Sequence, residues 1–206
     1  ALESFEVNAA VVPEGMFYEA KNLTAVVVGA DVNDIGEFAF RDTKVSEFEI
    51  DKNNKAYKAQ TADYILSADS KKLVAVSPLA EGEFTYYNIG GKKVTEIGKG
   101  AFSHNQKITS VVMDKVTVVG EYGLASNKSL TSVSLAELKE IGEYAFFEAY
   151  ITELPAFDKK VKMGKYAFSF TKLTSVNIPD ETEIPEGAFS ECVDLASVVI
   201  GNDVEI

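Results

Sequence analysis

One six-residue pattern recurs along the chain and constrains its fold more than any other feature. The last residue of each copy follows that of the previous copy by 21 to 23 residues, except for one interval of 62 residues between Phe40 and Phe102. Self-similarity at a short, fixed period is typical of stacked repeats. The clearest copies are IGEFAF at 35–40, IGKGAF at 97–102, IGEYAF at 141–146, MGKYAF at 163–168 and IPEGAF at 184–189.

A second pattern, apolar-x-x-apolar-x-apolar, lies between successive copies. In one example Val176 and Ile178 flank the polar Asn177, and this alternation predicts a short strand with one buried face. Strands spaced this regularly need a crossover return, so we expect them to be parallel. Nine segments carry the pattern: 2–7, 23–28, 45–50, 84–89, 108–113, 130–135, 151–156, 173–178 and 195–200.

The two patterns together predict an α/β repeat solenoid with about nine short parallel strands. We expect one short helical or 3₁₀ turn in each IGxxAF segment, on the side opposite the sheet. In the copy at 141–146, Gly142 permits a close approach or a positive φ, while Ala145 and Phe146 fill the interior. The six-residue motif is therefore interpreted as a packing unit.

The interval of 62 residues holds an insertion at about 53–83. Within it, YILSADSKKLVAVSP at 64–78 places two β-prone runs around a turn-like ADSKK, which predicts a β-hairpin. Residues 1–206 then form a single solenoid domain decorated by this hairpin. The chain begins inside a strand pattern at Leu2 and ends at Ile206, where another motif copy would start. We therefore expect it to be part of a longer chain, or one end to pack on a neighbouring chain.

Composition excludes several classes of protein. A net charge of −12 disfavours nucleic acid and anionic lipid as partners. No apolar run approaches the roughly 20 residues of a membrane helix, and no signal segment is present in this sequence. The single cysteine, Cys192, excludes a disulfide within the chain.

The stretch LTSVNIPDETEIPEGAFSEC at 173–192 resembles the BspA-like leucine-rich-repeat family, whose signature is close to L-x-x-I-x-I-P-x-x-V-x-x-I-G-x-x-A-F-x-x-C. The departures are Pro185 in place of glycine, Leu124 in place of a phenylalanine, and Pro155 at a position expected to face a partner. The resemblance implies a right-handed solenoid with a parallel sheet on its concave face. It also implies a bacterial cell-surface or secreted protein, with adhesion to host matrix proteins or other cells as the expected role.

Candidate binding residues are those that alternate with the core positions on the predicted concave face, together with acidic residues beside them. Four serines, at 110, 132, 175 and 197, fall in one column. Either these small residues relieve crowding, or they form a smooth groove for a partner with an acidic side. The candidates are Glu47, Glu49, Asp51, Tyr86, Asn88, Ser110, Asp114, Ser132, Ser134, Glu153, Ser175 and Asn177.

Four tyrosines in or beside the insertion, at 57, 64, 86 and 87, either support an interface or cap the core. Catalysis is not expected: Glu47 and Glu49 have a spacing compatible with glycoside hydrolysis, but no aromatic sugar platform accompanies them. His104, the only histidine, is expected in an exposed turn, and Cys192 at a small buried position.

No cofactor or metal is expected. The sequence therefore predicts a binding module for a protein or glycan, or alternatively a structural spacer in a larger surface protein.

Overall fold

The structure, a computed structural model, describes residues 3–86, 93–155 and 160–206. These residues form short strands joined by turns, and none of them is helical. The strands are β1 (Ser4–Val7), β2 (Val11–Val12), β3 (Ala25–Val28), β4 (Asp34–Ile35), β5 (Glu47–Ile50), β6 (Tyr57–Lys58), β7 (Tyr64–Ser67), β8 (Lys72–Val76), β9 (Gly82–Thr85), β10 (Glu96–Ile97), β11 (Ile108–Val112), β12 (Val118–Val119), β13 (Ser132–Ser134), β14 (Glu140–Ile141), β15 (Lys162–Met163), β16 (Ser175–Ile178) and β17 (Ser197–Ile200).

The strands stack into a solenoid with three faces. The long-strand face carries three parallel groups, ordered β1-β3-β5, β9-β11-β13 and β16-β17. The short-strand face carries two-residue strands together with the five-residue β8, ordered β2-β4 and β8-β10-β12-β14-β15. The turn face carries the AF pairs. The predicted parallel pairing is confirmed on both strand faces.

The helical turn expected in each IGxxAF segment is not observed. In the described copies, a residue with positive φ occurs twice, four positions apart, as at Tyr144 (53°) and Glu148 (56°). The amides of Phe146 and Glu148 donate to the next coil, to Ala167 O at 2.8 Å and Ser169 O at 3.0 Å. The amides of Ala145, Phe147 and Ala149 close single i→i−3 turns between these inter-coil bonds. Because a helix needs successive right-handed residues, the positive φ values keep the turns from joining into one.

Two of the nine expected strands are corrected. Residues 151–155 form no strand, and Pro155, which cannot donate to a ladder, is buried and does not face a partner. The strand expected at 84–89 is β9, at 82–85, and its residue Phe84 pairs with Val111. Phe84 contacts Phe102 edge-on at 4.8 Å, so the aromatic ring selects this earlier register.

The AF pairs form the core as predicted. Phe146 is fully buried and stacks on Phe168 at 4.9 Å. Gly142 is required for close approach and not for a positive φ, because a Cβ there would lie 2.6 Å from the amide nitrogen of Glu121 on the preceding coil. The motif is therefore a packing unit: glycine lets the coils approach and phenylalanine fills the space between them.

The hairpin predicted at 64–78 is confirmed as antiparallel β7 and β8, and β8 continues into the parallel short-strand face. It lies between two clusters of buried side chains. Ile65 and Ala75 belong to the cluster that contains Phe40, whereas Leu66 and Leu73 belong to the other cluster. The insertion therefore takes the place of part of one coil. Over the described residues there is no helix with the length and apolar character needed to cross a membrane.

Candidate binding face

The serine column of the long-strand face is present as predicted. Ser110 pairs in register with Ser132, and Ser175 with Ser197. Ser132 and Ser175 are exposed, as is Asn177. A second column of hydroxyls, from threonines one position earlier, is tied to the preceding coils, as in Thr131 Oγ1 to Thr109 O at 3.3 Å. Ser132 and Ser175 therefore belong to the exposed polar surface of this face.

The register of β9 changes which residues of that coil face outward. Glu83 pairs with Ser110, and Thr85 with Val112, so these two take the places expected for Tyr86 and Asn88. Ser110 Oγ donates to Glu83 Oε2 at 3.4 Å. Asn88 lies outside the described residues. Sequence reasoning did not select Glu83, because FTYYNI at 84–89 matches the repeat pattern better than the preceding residues do.

Tyr86 instead turns toward the insertion. Its ring lies 6.0 Å from that of Tyr64, and both hydroxyls reach Gln60 Oε1, at 3.3 Å and 3.4 Å respectively. Burial, and after it the neighbouring Tyr86, raises the pKa of Tyr64. Tyr57 is separate from this pair: its hydroxyl donates to Asn33 O at 3.2 Å, and burial raises its pKa. Tyr64 and Tyr86 thus pack on the core, and Tyr87 lies outside the described residues.

The acidic candidates fall at different places on the face. Glu47 and Glu49 are exposed, and they lie two positions apart on the same face of β5. Asp114 lies one coil from Ser134 and accepts its hydroxyl at 3.2 Å. Glu153 is exposed, but it lies in the stretch that forms no strand.

Asp51 shapes the turn that ends β5, accepting the amide of Asn53 at 2.7 Å. Glu6 also faces outward on β1, where Val27 separates it from Glu49 across the sheet. It was not among the candidates, although its segment LESFEV fits the repeat pattern.

Some carboxylates of the molecule are paired with lysines of neighbouring coils, and the outward-facing ones of three long strands are not. Elsewhere, lysines tie successive coils together: Lys99 Nζ lies 3.2 Å from Glu37 and 3.0 Å from Glu121, and these bonds raise its pKa. Lys162 and Lys165 make similar pairs at 2.8 Å. Within the ranges described, no ion pair involves the outward-facing carboxylates of β1, β5 and β9. These are Glu6, Glu47, Glu49 and Glu83.

A groove joins the acidic strand to the insertion. One wall is residues 47–52, the other is residues 57–62, and the open volume is about 480 Å³. The acidic residues of β5 and the insertion, which the sequence singled out separately, therefore meet at one site. Gln60 and its neighbours carry no sequence signal for this role.

The remaining candidates have structural explanations. His104 is half-buried rather than exposed, because its ring packs edge-on against Phe38 at 6.5 Å. Burial, followed by the charge of Arg41, lowers its pKa. Cys192 is buried as predicted, and its thiol donates to Phe168 O at 3.1 Å. In the part of the chain that the structure describes, no cluster of His, Cys, Asp and Glu could hold a metal ion.

Comparisons with known proteins are consistent with this geometry. The profile of the BspA type leucine rich repeat region matches six copies over residues 2–64 and 84–206. The pneumococcal vaccine antigen PcpA has a similar structure, with a TM-score of 0.73 and 18% identity over 100% of this chain and 49% of that one. No curated protein matches the sequence.

Two further solved structures are similar. A leucine rich cell surface protein from Faecalibacterium prausnitzii gives a TM-score of 0.70 and 22% identity over 97% of this chain and 60% of that one. A leucine-rich repeat protein from Eubacterium ventriosum gives a TM-score of 0.61 and 20% identity, over 96% of this chain and 54% of that one. At these identities the likeness shows the fold alone. This chain spans about half to three-fifths of the length of these three proteins.

Proposed function

Since the chain belongs to the BspA-type leucine-rich-repeat family, we propose that it is a non-catalytic binding module of a bacterial cell-surface or secreted protein. In this proposal residues 1–206 act as one solenoid domain, with the insertion at about 53–83 as part of its binding surface. One structural neighbour is named as a cell surface protein and another as a vaccine antigen, which supports a surface location.

The observation that carries the proposal is the groove between β5 and the insertion, with the exposed Glu47 and Glu49 on one of its walls. Lysines of adjacent coils bond to some carboxylates elsewhere, as Lys99 does to Glu37, but among the described residues none pairs with Glu47 or Glu49. Unpaired surface charge adds self-repulsion and does not help the fold. A partner that neutralises these groups, or hydrogen-bonds with the serine column beside them, accounts for their presence.

We propose that the partner is a protein or a glycan. The experiment described below tests the adhesive role. Glycoside hydrolysis requires a carboxyl group whose pKa is raised in a pocket, and both glutamates instead lie exposed on an open strand. This arrangement supports binding over catalysis. A spacer role is the alternative that remains if no ligand is found.

The test is a screen of the purified chain against arrayed matrix proteins and glycans. The double variant Glu47→Gln/Glu49→Gln is compared with Glu19→Gln/Glu143→Gln, which makes the same charge change at exposed positions on the turn face. Saturable binding that only the first variant weakens supports the proposal. If a cooperatively folded chain binds no member of the array, the adhesive role is refuted and the spacer is favoured.

A further inference from the structure

The groove beside β5 identifies a class of partner, an inference that rests on the proposed binding role. We propose that it takes an extended, lysine- or arginine-bearing segment of a partner protein, which pairs with the edge of β5 as an additional strand. Three observations carry this: an edge of the sheet, unpaired acidic side chains along that edge, and an opposite wall held in place by its own contacts.

The first observation is the sheet edge. β5 is the last strand of its three-stranded sheet, and β3 pairs with it on one side only. On the other side, within the described residues, Phe48 N–H donates to Ala62 O at 2.9 Å. Residues alternate in the direction of their backbone groups, so Ile50 turns its amide to the same side as Phe48. An extended segment of a partner can therefore pair with β5 at Ile50, beyond the point where the insertion bonds to Phe48.

The second observation is the charge. Glu47 and Glu49 project from the outer surface of β5, two positions apart, which is about 7 Å along a strand. Alternate residues of an added strand have the same spacing. Because Phe48 N–H is already bonded to Ala62 O, a segment that pairs beside Ile50 places one cation of Lys-x-Lys or Arg-x-Arg opposite Glu49 and within diagonal reach of Glu47. Of the lysines that line the groove, Lys58 is directed to the hairpin by a 2.6 Å bond to Ala68 O, and Lys52 lies at the end.

The third observation is the fixed opposite wall. Gln60 is held by the hydroxyls of Tyr64 and Tyr86, and Asn54 holds the start of the insertion by donating to Gly29 O at 2.7 Å and Val32 O at 2.9 Å. A wall positioned by these contacts gives the groove a defined shape before a partner binds. Preorganisation of this kind lowers the entropic cost of binding.

Another sizeable groove near the insertion does not offer the same match. It has a volume of about 470 Å³ beside β4, and its lining mixes lysines with carboxylates, including Lys72, Lys99, Glu14 and Glu37. The hydroxyl of Tyr57 already bonds to Asn33 O beside β4. The charge and the available edge both favour the groove beside β5.

The test uses a fluorescein-labelled peptide of alternating lysine and threonine, titrated with the whole chain and followed by anisotropy. We expect saturable binding that weakens about five- to tenfold in Glu47→Gln/Glu49→Gln, from two cross-strand charge pairs. The Glu19→Gln/Glu143→Gln control should bind as the unsubstituted chain does. The same peptide with alternate amides N-methylated should bind more weakly, and binding of the parent peptide should slow hydrogen exchange at residues 46–52.

Four results would overturn the proposal. If the N-methylated peptide bound as tightly as the parent peptide, charge attraction alone would hold the peptide, without strand pairing. Equal weakening in both double variants would mean that binding is not local to the groove. Absence of binding up to about 1 mM peptide, a free energy near −4 kcal/mol, would exclude a useful site. If instead the chain binds an array member with Glu47→Gln/Glu49→Gln unaffected, this inference fails while a binding role elsewhere on the molecule stands.

Discussion

Replacing Gly142 with alanine tests why glycine recurs in the IGxxAF motif. The new Cβ would lie 2.6 Å from the amide nitrogen of Glu121 and 2.8 Å from the carbonyl carbon of Gly120, both of them backbone atoms of the preceding coil. The coils cannot separate there without stretching the bond from Gly142 N–H to Val119 O, which is 2.8 Å. Overpacking that neighbouring side chains cannot relieve costs up to about 3 kcal/mol.

The reduced freedom of the unfolded chain offsets about 0.4–1 kcal/mol of that cost. We therefore expect Gly142→Ala to lower the free energy of unfolding by about 2 kcal/mol. Gly82→Ala is the matched control, because a Cβ at Gly82 meets no atom within 4 Å and only its positive φ of 74° opposes the change. Left-handed strain of about 1–2 kcal/mol less the same offset leaves a cost between zero and about 1.6 kcal/mol.

The measurement is urea unfolding followed by far-UV circular dichroism and by tyrosine fluorescence, since the chain has nine tyrosines and no tryptophan. If the two probes give coincident transitions, unfolding is two-state, and its free energy can be calculated from either probe. If Gly142→Ala is no more destabilising than Gly82→Ala, then close contact between coils is not the reason for the glycine, and the packing argument fails.

Three further predictions use the same unfolding assay or a chemical probe. Phe146→Ala should cost about 3–5 kcal/mol and Phe189→Ala clearly less, because Phe146 is fully buried and Phe189 only half so; equal losses would contradict this. Burial lowers the pKa of His104 below 6.5, so its contribution to stability is complete above about pH 6.5 and declines as the pH falls. His104→Gln should therefore lose less stability than the parent between pH 7 and pH 5, and an unchanged slope would refute the assignment. The buried thiol of Cys192 should react with Ellman's reagent much more slowly in the native chain than in urea; equal rates would place it at the surface.

The outcome of each sequence prediction depended on whether local residues or contacts between coils decide the feature. The core positions, the parallel strands and the hairpin at 64–78 were predictable because they follow from apolar alternation and spacing within short stretches of sequence. The burial of Cys192 was predictable in the same way. Most outward-facing candidates on the long-strand face followed from the same period.

The helical turns and the strand expected at 84–89 were not confirmed in the described residues, for the opposite reason. The positive φ values at Tyr144 and Glu148 occur on residues without a glycine-like preference, and only the glycine at the equivalent position of other copies, such as Gly100, indicates the first of them. Phe84 is placed by its contact with Phe102 on another coil, against the better local match to the repeat.

The sequence by itself determined that this chain is a coil of repeated units, because a period of about 22 residues repeats the same apolar positions and no single unit can bury them alone. Only the tertiary structure decided the arrangement of charge. Lys99 meets Glu37 although 62 residues separate them, because the insertion brings distant coils side by side. The same insertion lies opposite Glu47 and Glu49 across a groove, an arrangement that depends on how the coils stack and not on any residue's neighbours in sequence.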